Sequence, residues 1–240
     1  MAKPTYKELL DAGVHFGHLR KKWNPKMAPY IFMERKGIHL IDLNRTLDNM
    51  DRAANALRQI SKSGKKILFV ATKKQARDIV KQAAESVGMP FVTERWLGGM
   101  MTNFSTIRRS VKKKQNIERI LADTSLSSIT KKERLTLGRE REKLDKVLGG
   151  VEHLMRLPSA IFVVDVSHEH LAVVEAQRLG IKTFGIVDTN SDPNDVDYPI
   201  PGNDDASKSV AVITNFIAEA IREGLEERKT QKADKETVEG

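Results

Sequence analysis

AIFVVDV, residues 160–166, decides the fold. The run is far too short to span a bilayer, which takes about 20 apolar residues, and too unbroken for a strand with one wet face. Such runs belong to strands buried on both sides, as in parallel sheets covered by helices. KILFVAT (66–72) and KTFGIVD (182–188) repeat the signal, and Pro90-Phe91-Val92 offers a shorter strand. Helical spacing fills the intervals: Leu47, Met50, Ala54, Leu57 and Ile60 before Gly64, a helix through Val87 opened by a Thr72/Gln75 capping pair, and helices over 169–179 and 206–222. Strands alternating with amphipathic helices predict an α/β fold, a Rossmann-like parallel sheet with helices on both faces.

Two stretches break this rhythm. Thr5 and Glu8 form a capping signature for a short first helix ended at Gly13, after which residues 14–36 read as an irregular basic segment before the strand IHLIDL. Residues 103–154 are charged, rich in helix formers and free of proline. Ile107, Val111, Ile117 and Leu121 mark one thin apolar stripe; Leu137, Leu144, Leu148, Val151 and Met155 mark another. The polar break DTSLSS and the capping pair Thr130/Glu133 separate them, so an inserted α-helical hairpin is expected. The chain then divides into a discontinuous α/β domain (1–102 and 155–225), the hairpin (103–154) and a polar tail (226–240) expected to be disordered.

There are no cysteines, which removes disulfides, thiol nucleophiles and thiolate zinc sites and fits a reducing, cytoplasmic setting. No apolar segment is long enough for a membrane partner. The net charge is +9, unevenly spread: residues 103–157 hold 14 Lys and Arg against 7 Asp and Glu, and residues 1–36 hold 8 against 3. By contrast DTNSDPNDVDYPIPGNDD (188–205) carries six aspartates and no Lys or Arg. A polyanionic partner for the two basic regions is the reading this distribution favours.

Chemistry at the strand ends offers a competing reading. Asp165, His168, Glu169 and His170 follow one strand and Asp188 follows the next, and a metal-dependent hydrolase could be drawn on His168, His170 and Asp188. The plainer reading is a helix start capped by Ser167 with Glu169 in an exposed first turn. No G-x-G-x-x-G or G-x-x-x-x-G-K-[ST] follows any strand, so no small-molecule nucleotide substrate is expected; Gly98-Gly99 in RWLGGMMTN is explained by a tight turn before a helix capped by Thr102 or Asn103.

The nucleic-acid reading draws on more of the chain. Arg108, Arg109, Lys112, Lys113 and Lys114 advance by about 100° per residue into a broad basic helical face that can follow phosphates. Arg20, Lys21, Lys22, Lys26 and Arg95 add cations, and Trp23 either stacks on a base or plugs the core beneath the loop.

GVHFGH, WNPKM, RWLGGMMTN, FVVDVSHEH, VDTNSDP and IPGNDDA, in this order and spacing, closely resemble the S-two family of bacterial small-subunit ribosomal proteins, over about residues 5–225. The resemblance implies a Rossmann-like domain with an inserted helical hairpin, no enzymatic activity and no required cofactor. It also implies a place in the cytoplasmic ribosome on 16S ribosomal RNA, beside neighbouring small-subunit proteins that in many bacteria include the large OB-repeat ribosomal protein one. Which side chains meet RNA does not come with it; those assignments rest on charge and position.

One link remains. An aspartate-rich loop repels itself unless positive charge sits nearby. The plain solution uses Asp192-Pro193 in a turn and Asp204/Asp205 as a helix cap. The sharper one folds the loop over the N-terminal segment, so that His18, with His15, joins Asp188 and Asp204 around one structural divalent ion, zinc or magnesium.

Overall fold

A computed structural model describes residues 3–122 and 130–238, with side chains as far as 231. The reading of DTSLSS as a break lies outside the described residues. Among the described residues there are two sheets, one of three strands and one of five.

The larger sheet is wholly parallel: β4 (Ile67–Val70), β5 (Phe91–Val92), β6 (Ala160–Val164), β7 (Lys182–Val187) and β8 (Tyr198–Pro201), in spatial order β5-β4-β6-β7-β8. β4 and β6 lie side by side although β5 comes between them in the chain, so the winding reverses there. Side chains alternate between two cores, as a period of two requires. Ile67, Phe69, Phe162, Phe184 and Ile186 face α2 (Leu43–Lys62), α3 (Arg77–Ser86) and α7 (Ser207–Val238). Leu68, Val70, Ile161, Val163 and Val187 face α6 (His170–Arg178) and the roots of α4 (Phe104–Ala122) and α5 (Lys131–Leu148). The Rossmann-like architecture expected from the buried runs is therefore present, with helices on both faces.

β8 escapes the sequence reading because Pro199 and Pro201 disguise it. An edge strand has one side free of partners, so missing N–H groups there cost little; β8 pairs only with β7. The last helix also exceeds expectation. Glu227 pairs with Arg58 and Lys62 of α2, and α7 runs to Val238, so the tail read as disordered from 226 continues the helix.

Residues 14–36 are not irregular. β1 (Phe16–Leu19), β2 (Ile31–Arg35) and β3 (Ile38–Ile41) form an antiparallel sheet of order β1-β3-β2, and IHLIDL supplies its central strand rather than a strand of the parallel sheet. Two 3-10 turns, Arg20–Lys22 and Pro25–Tyr30, connect β1 to β2. Before them α1 (Tyr6–Asp11) carries the predicted Thr5/Glu8 capping box. Two other predicted caps fail: α3 begins at Arg77 without a side-chain cap, because Thr72 is engaged by Glu169, and α6 begins at His170 without help from Ser167.

Candidate nucleic-acid interface

The antiparallel sheet is fastened to the ends of the parallel strands. The amide of His18 donates to Thr189 Oγ1 at 2.8 Å, that of Asn24 donates to the Thr189 carbonyl at 2.7 Å, and that of Asn203 donates to the Val14 carbonyl at 3.0 Å. Gly17 permits this approach, since a Cβ there would stand 2.5 Å from Thr189 Cγ2. The aspartate loop thus does meet the N-terminal segment. What it finds is a set of cations from the chain itself.

Lys73, just after β4, places its ammonium 3.2 Å from Asp165, 2.6 Å from Asp204 and 2.6 Å from Asp205. Burial works against the charged amine, but the carboxylates of Asp204 and Asp205 outweigh it and hold the ammonium well above its ordinary value. Burial, and then the charges of Asp165 and Asp188, push Asp204 up to about 7. His18 puts Nδ1 3.1 Å from Asp188 and Nε2 3.4 Å from Asp205, and its contact with Asp188 raises its imidazole above the ordinary range. Lys26 meets Asp192 at 2.5 Å and Lys182 meets Asp197 at 3.2 Å.

This arrangement gives the divalent-ion expectation no support. Among the described residues no three His, Asp or Glu side chains are disposed around a metal. Asp204 takes Lys73, His18 takes Asp188 and Asp205, and His15 joins none of them. The plain account of the loop holds for Asp192, which accepts from the amide of Asn194 in the turn at Pro193. It fails for Asp204 and Asp205, since Asn203 Oδ1 accepts the amides of Asp205 and Ala206 at the start of α7.

The hydrolase candidates are likewise dispersed into structural roles. His168 and His170 are exposed, whereas Asp188 is buried against His18. Glu169 is not in an exposed turn: it is 3% exposed, and Oε1 accepts from the Thr72 amide at 2.6 Å and the Thr72 hydroxyl at 2.5 Å. Burial raises its pKa against those two bonds.

The RWLGGMMTN loop holds an anion, and the anion belongs to the chain. Glu175 of α6 accepts from Trp96 Nε1 (3.1 Å), from the amides of Gly99 (2.8 Å), Met101 (3.0 Å) and Thr102 (3.0 Å), and from the Thr102 hydroxyl (3.0 Å). Gly99, at φ +84°, supplies the turn that converges these donors. Burial opposes the carboxylate, yet the bonds from Thr102, Met101, Trp96 and Gly99 prevail and hold its pKa below the usual range. Sequence reasoning missed Glu175, because a glutamate within an amphipathic helix reads as solvated.

The hairpin needs the largest revision. Lys114 is not part of an exposed basic face: its side chain is 4% exposed and contacts Asp145 and Glu152 at 2.6 Å each and Glu118 at 3.7 Å. The register explains it. Ile107, Val111, Lys114 and Ile117 follow the spacing of one buried stripe, so Lys114 occupies a seam position between α4 and α5. Burial disfavours its charge, but Asp145 and Glu152 raise the ammonium above its ordinary value. Arg108 is committed to the hairpin root through the Glu152 carbonyl at 2.8 Å, and Lys113 pairs with Glu140 across the helices.

What remains outward is narrower than the sequence implied. Arg109 and Lys112 are exposed without an ion pair among the described residues, and Arg119, which the sequence reading passed over, extends their stripe at i+10 from Arg109. Around β1, Lys21 and Lys22 are exposed without ion pairs among the described residues, Arg20 lies 3.4 Å from Glu34 but is itself 70% exposed, and Trp23 is half-buried with its ring 5.0 Å from that of His39. Arg95 is exposed and has no ion pair among the described residues, beside the mouth of the strand-end crevice. Among the described residues no helix is long and apolar enough to cross a membrane.

The sequence profile of the family described as ribosomal protein S2 matches residues 9–224. The small ribosomal subunit protein uS2 of Cytophaga hutchinsonii is 61% identical over 97% of this chain and 91% of its own length. Proteins of the same name from Bacteroides fragilis and Parabacteroides distasonis are 59% and 57% identical, over 99% and 100% of this chain and 86% of each relative. With a Rossmann-like body whose strand-end charges are spent on one another, and a match across nearly its whole length, the chain belongs to the ribosomal protein S2 family.

Proposed function

We propose that this chain grips 16S ribosomal RNA through the outward cations of the hairpin and of the N-terminal sheet while its α/β body meets neighbouring small-subunit proteins, the OB-repeat ribosomal protein one among them. Membership of the family makes it a structural constituent of the small ribosomal subunit in the cytoplasm, and not an enzyme. The observation that carries the RNA reading is selective pairing. The fold neutralises Lys73, Lys113 and Lys114 internally but leaves Arg109, Lys112 and Arg119 facing water along one helical stripe. Such a stripe, spanning about 15 Å at 1.5 Å per residue, can follow several successive phosphates.

Salt dependence of binding tests this. Each phosphate contact contributes about 0.7–0.9 to the slope of log K against log salt concentration. Replacing Arg109, Lys112 and Arg119 together by alanine should reduce the slope by about 2, and the triple variant should enter small subunits poorly. An unchanged slope with normal incorporation would remove RNA contact from the hairpin.

A further inference from the structure

The winding of the large sheet reverses between β4 and β6, and open α/β sheets bind ligands outside the carboxyl ends of strands at such a point. A crevice of about 540 Å³ lies there, lined by residues that follow β4, β5 and β6. That volume falls within the roughly 300–1,000 Å³ of small-ligand sites. Its inner wall is closed electrostatically: Glu169 is taken by Thr72, and Glu94 faces Arg77 and Lys146 at 3.5 Å each. Its rim is different. Lys74, Arg95 and His168 are exposed and their side chains have no ion pair or hydrogen bond among the described residues, while Leu171, in the same lining, is 59% exposed.

From this contrast we infer that the crevice seats one unpaired nucleotide of the ribosomal RNA, its phosphate on Lys74 and Arg95 and its base against His168 and Leu171. The inference rests on the RNA-binding reading above and adds to it a contact by the α/β body. A free mononucleotide is disfavoured by the inner wall. The backbone amide just after β4, where a strand-end site would receive a terminal phosphate, already donates to the carboxylate of Glu169. A shallow rim with separated cations and a flat guanidinium and imidazole suits a polymer instead. Its neighbouring phosphates are held elsewhere, and its unstacked base finds planar and apolar groups to lie on.

The absence of cysteine allows a clean test. Leu171→Cys and, separately, Asn116→Cys on the hairpin stripe are labelled with a benzophenone and irradiated in assembled small subunits. We expect the probe at 171 to attach to ribosomal RNA at a single nucleotide, and Lys74→Ala with Arg95→Ala to cut that yield at least fivefold without changing the yield from 116. Attachment at 171 only to protein, or none, while 116 reaches RNA, overturns the inference and leaves the hairpin reading intact. If neither probe reaches RNA, the inference falls together with the hairpin reading. Saturable binding of ATP or GMP to the protein, abolished by Lys74→Ala with Arg95→Ala, overturns it in favour of a small-molecule site.

Discussion

Lys73 and Lys114 are both withdrawn from water and each meets three carboxylates, yet they do different work in the body and in the hairpin. Two of the three acids around Lys73 are themselves inside, Asp204 at 0% and Asp165 at 10% exposure, with Asp205 on the rim at 53%, and they arrive from segments following β6 and β8. Two of the three acids around Lys114 stay wet, Asp145 at 59% and Glu118 at 40% exposure, while Glu152 is at 19%. In the body a buried cation knots distant parts of the chain, and its removal leaves Asp165 and Asp204 facing one another with little access to solvent. In the hairpin the cation sets the register of two helices, and its partners can turn outward without it.

The largest effect expected from this contrast is that of Lys73→Met. Breaking a buried ion cluster by removing one partner costs about 3–5 kcal/mol, read by urea unfolding at neutral pH. The loss should shrink in acid, where protonation of Asp204 and Asp205 removes unpaired charge. A Lys73→Met protein as stable as the wild type at pH 7 would break the comparison.

Lys114→Met should sharpen it. Methionine fits the stripe of Ile107, Val111 and Ile117, and two of the three carboxylates that lose the ammonium are already 59% and 40% exposed and can be hydrated, so a change within about 1 kcal/mol is expected in the same assay. The salt slope of RNA binding should also stay at the wild-type value, because Lys114 has no surface to offer a phosphate. A slope reduced as far as that of Lys112→Ala would return Lys114 to the interface.

The smallest effect concerns His18, which belongs to the body's network at its wet edge. Asp188 and Asp205 favour the imidazolium, so its contribution is complete below the free-imidazole value of about 6.5 and fades as pH rises through the higher folded value. Wild-type stability should therefore fall by under about 1 kcal/mol across that rise relative to His18→Gln. Parallel pH profiles for the two proteins would detach His18 from the network.

How far the sequence disclosed all this depended on the range of the interaction. Buried runs such as AIFVVDV and the box at Thr130 and Glu133 depend on neighbours within a turn or a strand, and the structure places both as read. The hidden strands β1, β2 and β8 were masked by Gly17 and by prolines 25, 29, 199 and 201, whose local meaning is turn rather than sheet. Lys73 could not be matched to Asp204, 131 residues away, because nothing local relates them. Lys114 was a different case. The spacing of Ile107, Val111 and Ile117 already assigned its position to the seam, but residue type was allowed to overrule register.

The carboxylate of Glu175 has a mechanical consequence. It grips the amides of Met101 and Thr102 immediately before α4, while Lys114 holds Glu152 just past the end of α5, so both feet of the hairpin are clamped at its base. Nineteen residues of α4 make a lever arm of about 28 Å. A tilt of roughly 5° at its base would carry the far end about 2.5 Å sideways, close to a hydrogen-bond length. Aim, rather than grip, is then the quantity that Glu175 controls: a pivot loosened at the α6 side would leave every cation of the stripe in place on α4 but change where the stripe faces.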